Sequence, residues 1–203
     1  MRALRDERES TVSLIDRLRK AAEGIAPKPE FKLRPEVLCC PNVPKPLHRV
    51  CPRTILGRAW WDATRQAAYA STGGHCIACG VNQQLATWRQ WLEGHELYRI
   101  DYPHGRMTYV ETVPLCHLCH CFIHDGRLRS MIQQGKETPE KLKIVLDHGR
   151  RILAAARIQK PPPYSGKTAE WGSWRLVLKG KQYPPLYRDY REWLVGHGLA
   201  GDE

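Results

Sequence analysis

The sequence predicts an α+β protein: a β-hairpin and a ligand-bearing helix form a small core held by a four-cysteine site, with further helices on its flanks. Three observations lead there. Cys76-Ile-Ala-Cys79-Gly80 and Cys116-His-Leu-Cys119 are two CxxC pairs that frame the segment between them. Within that segment, "HELYRIDYPHGRMTYVET" from residue 95 alternates apolar and polar residues on both sides of Pro103-His104-Gly105, the pattern of two strands joined by a turn. Elsewhere apolar residues recur at the 3.6-residue spacing of a helix packed on one face.

Taken in order, residues 10–23 predict a first helix, capped by Ser10, with Val12, Ile15, Leu18 and Ala22 at helical spacing and Gly24 as its stop. Residues 26–54 are proline-rich and can hold no long helix, so they are expected as an extended linker lying across other elements. The next helix is "RAWWDATRQAAYAS", stopped by Gly73-Gly74, which delivers Cys76 to its site. After the hairpin, "CHLCHCFIHDGRLRSMIQQG" is compatible with a short helix carrying ligands. Thr138 caps and Pro139 opens another helix to about Arg157, with Leu142, Val145, Leu146, Ile152, Leu153 and Ala156 inward and Gly149 as a candidate kink. Prolines 161–163 break the chain again, and 171–195 reads as a short strand or hairpin followed by an aromatic helix. Trp60, Trp61, Trp171, Trp174 and Trp193 lie in apolar patterns and are expected to pack rather than stack on bases. The expected organisation is 1–44 as N-terminal helix and linker, 45–160 as the metal-stabilised domain, and 161–203 as a C-terminal aromatic and basic extension.

Charge narrows the partner. Lys and Arg number 32 against 21 Asp and Glu, a net charge of +11, which favours a polyanion over a neutral small molecule. Nucleic acid, DNA included, leads this class, with an anionic membrane surface as the competitor; Arg99, Arg106, Arg127 and Arg129 are candidate phosphate contacts around the core. No apolar run is long enough to span a membrane and the N-terminus is too charged for a signal peptide, so a soluble, cytoplasmic protein is expected. In that reducing setting the eight cysteines read as ligands rather than as a disulfide framework.

The ligand pattern resolves into two sites. Cys76, Cys79, Cys116 and Cys119 give the four thiolates of a closed structural zinc site, each CxxC placing two sulfurs on one side of the ion through a tight turn. His120 and His124, four residues apart, project from one face of a helix and can grip a second ion. His95, at the start of the hairpin, is the best third ligand. Three protein ligands with an open position is the arrangement of catalytic metals. Histidines 48, 75, 104, 117, 148 and 197 read as surface or capping groups, and Cys39, Cys40, Cys51 and Cys121 as buried or free thiols.

The order CxxCG, then a His beside an acid on a hairpin, then "LCHLCH" followed by "CFIH", resembles the HNH endonucleases, in particular small bacterial and phage proteins of this type that carry two CxxC zinc-binding pairs. The resemblance covers roughly residues 45–130. It implies a ββα-metal core stabilised by zinc at the four cysteines, and phosphodiester hydrolysis in a bacterial or phage-infected cell. On this resemblance His95, His120 and His124 hold the catalytic ion, which is zinc, nickel, manganese or magnesium, and Glu96 stands at the general-base position. A nearby His such as His104 is a second candidate for the base. Two positions depart from the family: Glu96 replaces the usual His, and Glu111 falls near the place of the family's middle Asn. The rival expectation is therefore a degenerate HNH-like zinc module that binds nucleic acid or a protein without cutting.

Overall fold

The computed structural model describes residues 31–199, so the helix expected over 10–23 lies outside the described residues. The described residues form a mixed α+β fold with five α-helices and one four-stranded sheet of order β1-β2-β3-β4. Strands β1, Glu93–Asp101, and β2, Arg106–Leu115, form the antiparallel hairpin expected from the alternation. Strand β3, Arg175–Leu178, joins β2 in parallel and turns through Lys179 and Gly180 into β4, Lys181–Tyr183. Both turn residues have positive φ, 50° and 76°, which matches the twist a two-residue hairpin needs.

The period-2 alternation of β1 breaks in the middle. The register with β2 shifts between Leu97 and Tyr98. Before this bulge His95 and Leu97 face the first core cluster; after it Tyr98 and Ile100 pack against the second. The unpaired residue is Val110 of β2, so β2 is the strand re-aimed: Met107 and Tyr109 pack in the second cluster, and Val113 and Leu115, at the same parity, in the first.

Helix α1, Pro52–Ser71, begins six residues before the expected segment. Pro52 sits at its first position, Thr54 bonds back to the Cys51 amide, and Gly57 (φ 81°) interrupts the helix after the first turn. The ligand-bearing segment forms two helices rather than one: α2, His117–Ile123, and α3, Asp125–Gln133, are separated at His124, whose φ of −101° and ψ of 37° are not helical. Helix α4, Pro139–Ala155, has the expected cap, with the Thr138 hydroxyl accepting from the Lys141 amide. Helix α5, Tyr190–Gly196, closes the described chain.

Gly149 is not a kink. Helix α4 runs through it, and the residue is needed because a Cβ there would lie 2.2 Å from the Phe122 ring on α2. Phe122 is buried, so its ring has nowhere to retreat without moving the ligand helix. Gly149→Ala is expected to destabilise the protein by about 1–3 kcal/mol through overpacking, despite the better helix propensity of alanine. Thermal unfolding measures this, and an unchanged or raised midpoint refutes it.

The proline-rich segment is not an external linker. It forms two 3-10 turns, Pro35–Cys39 and Lys45–Leu47, and Leu38 and Leu47 are fully buried. Prolines pre-set φ for such turns, which lets a segment without a long helix still insert side chains into the core. Leu38 joins the larger cluster with Val113, Leu115, Phe122 and Val145. Leu47 joins Met107, Trp174 and Leu176. The tail beyond 160 enters that same second cluster, and the described residues 31–199 group as one unit, which contains the expected boundaries near 45 and 160. Trp174 and Trp193 are buried; Trp60, Trp61 and Trp171 are half-buried.

Candidate metal centres

The first CxxC sits in a turn stitched to its surroundings by backbone bonds. The Gly80 amide donates to the Cys76 carbonyl at 2.8 Å, closing the turn, and Gly80 takes a φ of 76° that favours glycine. The Ile77 amide donates to the Pro114 carbonyl at the end of β2, which brings the turn against the second CxxC. That second pair starts α2: Cys116 is its N-cap and Cys119 lies in its first turn. Cys76, Cys116 and Cys119 are buried and Cys79 half-buried.

The four sulfurs all lie within 4.8 Å of one another, and Cys79 Sγ is 3.8 Å from Cys116 Sγ. A tetrahedron with metal–sulfur bonds of about 2.3 Å has edges of about 3.8 Å, so this spacing suits a cation such as zinc. Cys116 is held far below the ordinary thiol range because Cys119, Cys76 and Cys79 bond to its sulfur, and the same contacts push Cys79 and Cys119 up. Without a cation one sulfur ionises at the expense of its neighbours; a divalent ion removes that conflict. Behind the cluster, His148 Nε2 from α4 lies 3.4 Å from Cys119 Sγ, so His148 is a partner of the sulfur rather than a surface residue.

The second cluster joins β1 to α2. His95, His120 and His124 each offer a nitrogen, all within 4.8 Å of one another, and His124 Nε2 lies 3.3 Å from His95 Nδ1. Metal–nitrogen bonds of about 2.1 Å in a tetrahedral site give edges of about 3.4 Å, so these rings also fit a shared cation. They line a cavity of about 60 Å³ together with Cys40, Val43, Glu96 and Tyr98.

Burial holds His95 down to about 3 and His124 to about 4, and in both cases the neighbouring His120 charge adds to the effect. Both rings are therefore uncharged at pH 6, as ligands must be. The sign for stability follows. Unfolded histidines take up protons near pH 6.5 whereas these folded ones do not, so stability is present above pH 6.5 and is lost as pH falls towards 4. With no cation supplied to the imidazole site, the two rings contribute a slope of up to about 2.7 kcal/mol per pH unit near pH 5.5. Urea unfolding at pH 7, 6 and 5 measures this, and the variant His95→Gln with His124→Gln is expected to flatten the slope. An equal slope in that variant counts against it.

Glu96 stands beside the triad but outside the set of converging donors. Its Oε1 is buried with no hydrogen-bond partner, and burial raises its pKa despite the nearby Arg53 charge. A desolvated carboxylate is a stronger base than an ordinary one at pH 7. His104, the other candidate base, sits exposed at the hairpin turn, 3.0 Å from Asp101 and far along the strand from the triad.

Glu93 was not anticipated from the sequence. Its Oε2 lies 2.5 Å from His120 Nδ1, and its Oε1 lies 2.9 Å from His117 Nδ1 and 2.8 Å from Arg89 Nη1. Burial works against ionisation, but the hydrogen bonds from His117 and His120 outweigh it and hold this carboxylate well below its usual range. The available signal was E-x-H on a strand, since residues two apart share a face. His117 likewise is a buried partner of Glu93 and Cys121, not a surface group, and its pKa is raised to about 9 by Cys121 first and Glu93 second. Glu111 is ion-paired to Arg34 at 2.7 Å and lies opposite Leu97 at the bulge.

The candidate phosphate contacts fall in different places. Arg127 follows the triad closely enough for its charge to lower the His124 pKa, and it is exposed. Arg129 is exposed but bonded to Asp125 at 3.1 Å. Arg99 lies exposed four residues along β1 from His95, about 13 Å at the strand rise. Arg106 is paired in register with Asp101 at the opposite end of the hairpin, about 20 Å away by the same rise, so it does not flank the triad. Cys39 and Cys40 pack partly buried against the core and Cys51 caps α1.

A comparison of the chain with protein-family models, curated proteins and solved structures finds no significant match. The described residues contain no helix long and apolar enough to cross a membrane.

Proposed function

We propose that this chain is a metal-dependent DNA endonuclease or nickase of HNH type, in which the β1–β2 hairpin and α2 form a ββα-metal core stabilised by zinc at the four cysteines. One observation carries the reading: three imidazoles converge within a few ångströms beside Glu96, whose buried Oε1 has no hydrogen-bond partner. A structural module needs only the cysteines, and gives no reason for His95, His120 and His124 to meet.

A divalent ion bound there would polarise a scissile phosphate and stabilise the charge developing on the leaving oxygen. His95, His120 and His124 would hold it. Glu96, raised by burial, takes the proton of the attacking water. Arg127, exposed next to the triad, contacts the phosphate backbone, and the net charge of +11 draws the duplex to the protein. An all-imidazole set favours zinc, nickel or another transition ion over magnesium, which prefers oxygen.

A degenerate module that binds without cutting is the second reading. It is favoured by the Arg34–Glu111 ion pair at the position where the family carries Asn. Incubating supercoiled plasmid with the protein across magnesium, manganese, cobalt, nickel and zinc separates the two. Nicked or linear product with at least one ion supports the enzyme, and DNA binding with no cleavage under any ion supports the rival.

A further inference from the structure

Glu93 is the first residue of β1, and the period of the strand puts it on the same side as His95, facing α2. Its carboxylate is 15% exposed and bonds two histidines of α2 at once: His120 Nδ1 through Oε2 and His117 Nδ1 through Oε1. His120 is a triad member, and a neutral imidazole carries one proton on two nitrogens. If Nδ1 donates to Glu93, the lone pair of that ring sits on Nε2. We propose that Glu93 is a positioning residue for the imidazole site, fixing the tautomer and orientation of His120 so that Nε2 faces the cation. The inference rests on reading the triad as a cation site, and extends it to a residue outside the converging donors.

The chemistry requires a carboxylate and not merely a polar side chain. Two donors approach Glu93 from α2, and a third, Arg89 Nη1, reaches it from the loop before β1 at 2.8 Å. An ionised carboxylate accepts on both oxygens, whereas an amide offers one acceptor and one donor. Gln at this position therefore serves His117 or His120 but not both, and its amine turned towards an N–H repels the ring. Carboxylate–histidine–metal arrangements of this kind raise ligand basicity and fix ring geometry, and their loss costs about 10–100-fold in metal affinity.

The test is calorimetric titration of cobalt into the full chain with its cysteine site already loaded, alongside total metal content and thermal midpoint. Glu93→Gln is expected to weaken cobalt binding at the imidazole site by about 10–100-fold. The cysteine-site metal should stay at one per chain with the midpoint near that of the parent. Glu93→Asp, which keeps two acceptor oxygens, should retain more affinity than Glu93→Gln. His117→Phe removes the other bond and should weaken cobalt binding far less. Parent-like affinity in Glu93→Gln overturns the proposal. So does an equal loss in His117→Phe, or a loss that comes with release of the cysteine-site metal, because each indicates a packing role. Cleavage is not the readout, so a protein that binds cobalt but cuts nothing defeats the nuclease reading and leaves this inference standing; a parent that takes up no second ion defeats both.

Discussion

Replacing His120 and His124 together by Ala is expected to remove one of two bound ions per chain and to abolish plasmid nicking, while the ion at the cysteines remains. The two rings come from consecutive turns of one short segment, His120 inside α2 and His124 at its end, and His95 reaches them across from β1. With both gone, His95 is the single imidazole of the set, and one neutral ring does not hold a divalent ion against water. The rate loss should be about 10³-fold or more, since the ion's stabilisation of developing charge amounts to several kcal/mol. Glu96→Ala makes the informative contrast. It leaves the donor set intact, so both ions should stay, yet cleavage should fall by about 10²–10⁴-fold through loss of the base. Metal content by elemental analysis and single-turnover nicking measure the pair. Full nicking by the double histidine variant would falsify the assignment of the cation to this triad.

The largest effect on folding belongs to the cysteines. Cys119→Ser is expected to leave the chain without a cooperative unfolding transition, and a strong chelator should do the same to the parent. Cys76 and Cys119 are fully buried within the larger apolar cluster, not at its edge. The four sulfurs join three parts of the chain: the turn after α1, the end of β2 and the start of α2. Ile77 passes that restraint on through the bond its carbonyl accepts from the Arg34 amide, which anchors the proline-rich segment. Binding at structural zinc sites contributes about 10–16 kcal/mol in small domains, comparable with the about 5–15 kcal/mol net stability of a whole protein. Without the ion, three sulfurs crowd that of Cys116, which ionises at their expense. Circular dichroism against temperature, with and without chelator, is the measurement. A Cys119→Ser protein that melts cooperatively within a few degrees of the parent excludes a structural role for the site.

Much of both sites was legible because their ligands follow local rules. A CxxC pair needs only a tight turn, and His120 and His124 need only one turn of helix, so spacing along the chain reports spacing in space. The hairpin was legible for the same reason: its alternation and its turn lie within one short stretch of chain. Caps such as Thr138 act on amides three residues away. Where the reading failed, the deciding interaction was distant or depended on competition. Gly149 looks like a break until Phe122, from a different helix, is seen to fill the space above it. His117 and His148 look like surface residues until Glu93 and Cys119 meet them from other elements. The ligand helix reads as continuous, and no residue in the sequence marks the non-helical backbone at His124.

The amino-acid sequence alone determined the donor types, their grouping into two sets, the mixed helix-and-strand class and the excess of positive charge, because each is a matter of composition or of spacing within a few residues. Only the tertiary structure decided that the proline-rich segment belongs to the core, that β3 adds to β2 in parallel from a distant part of the chain, that Glu93 rather than His104 accompanies the triad, and that Glu96 keeps one buried oxygen without a hydrogen-bond partner. Those outcomes depend on which apolar surfaces cover one another once the chain closes. Burial of that kind is a property of the assembled chain, and so is the protonation of every group it encloses.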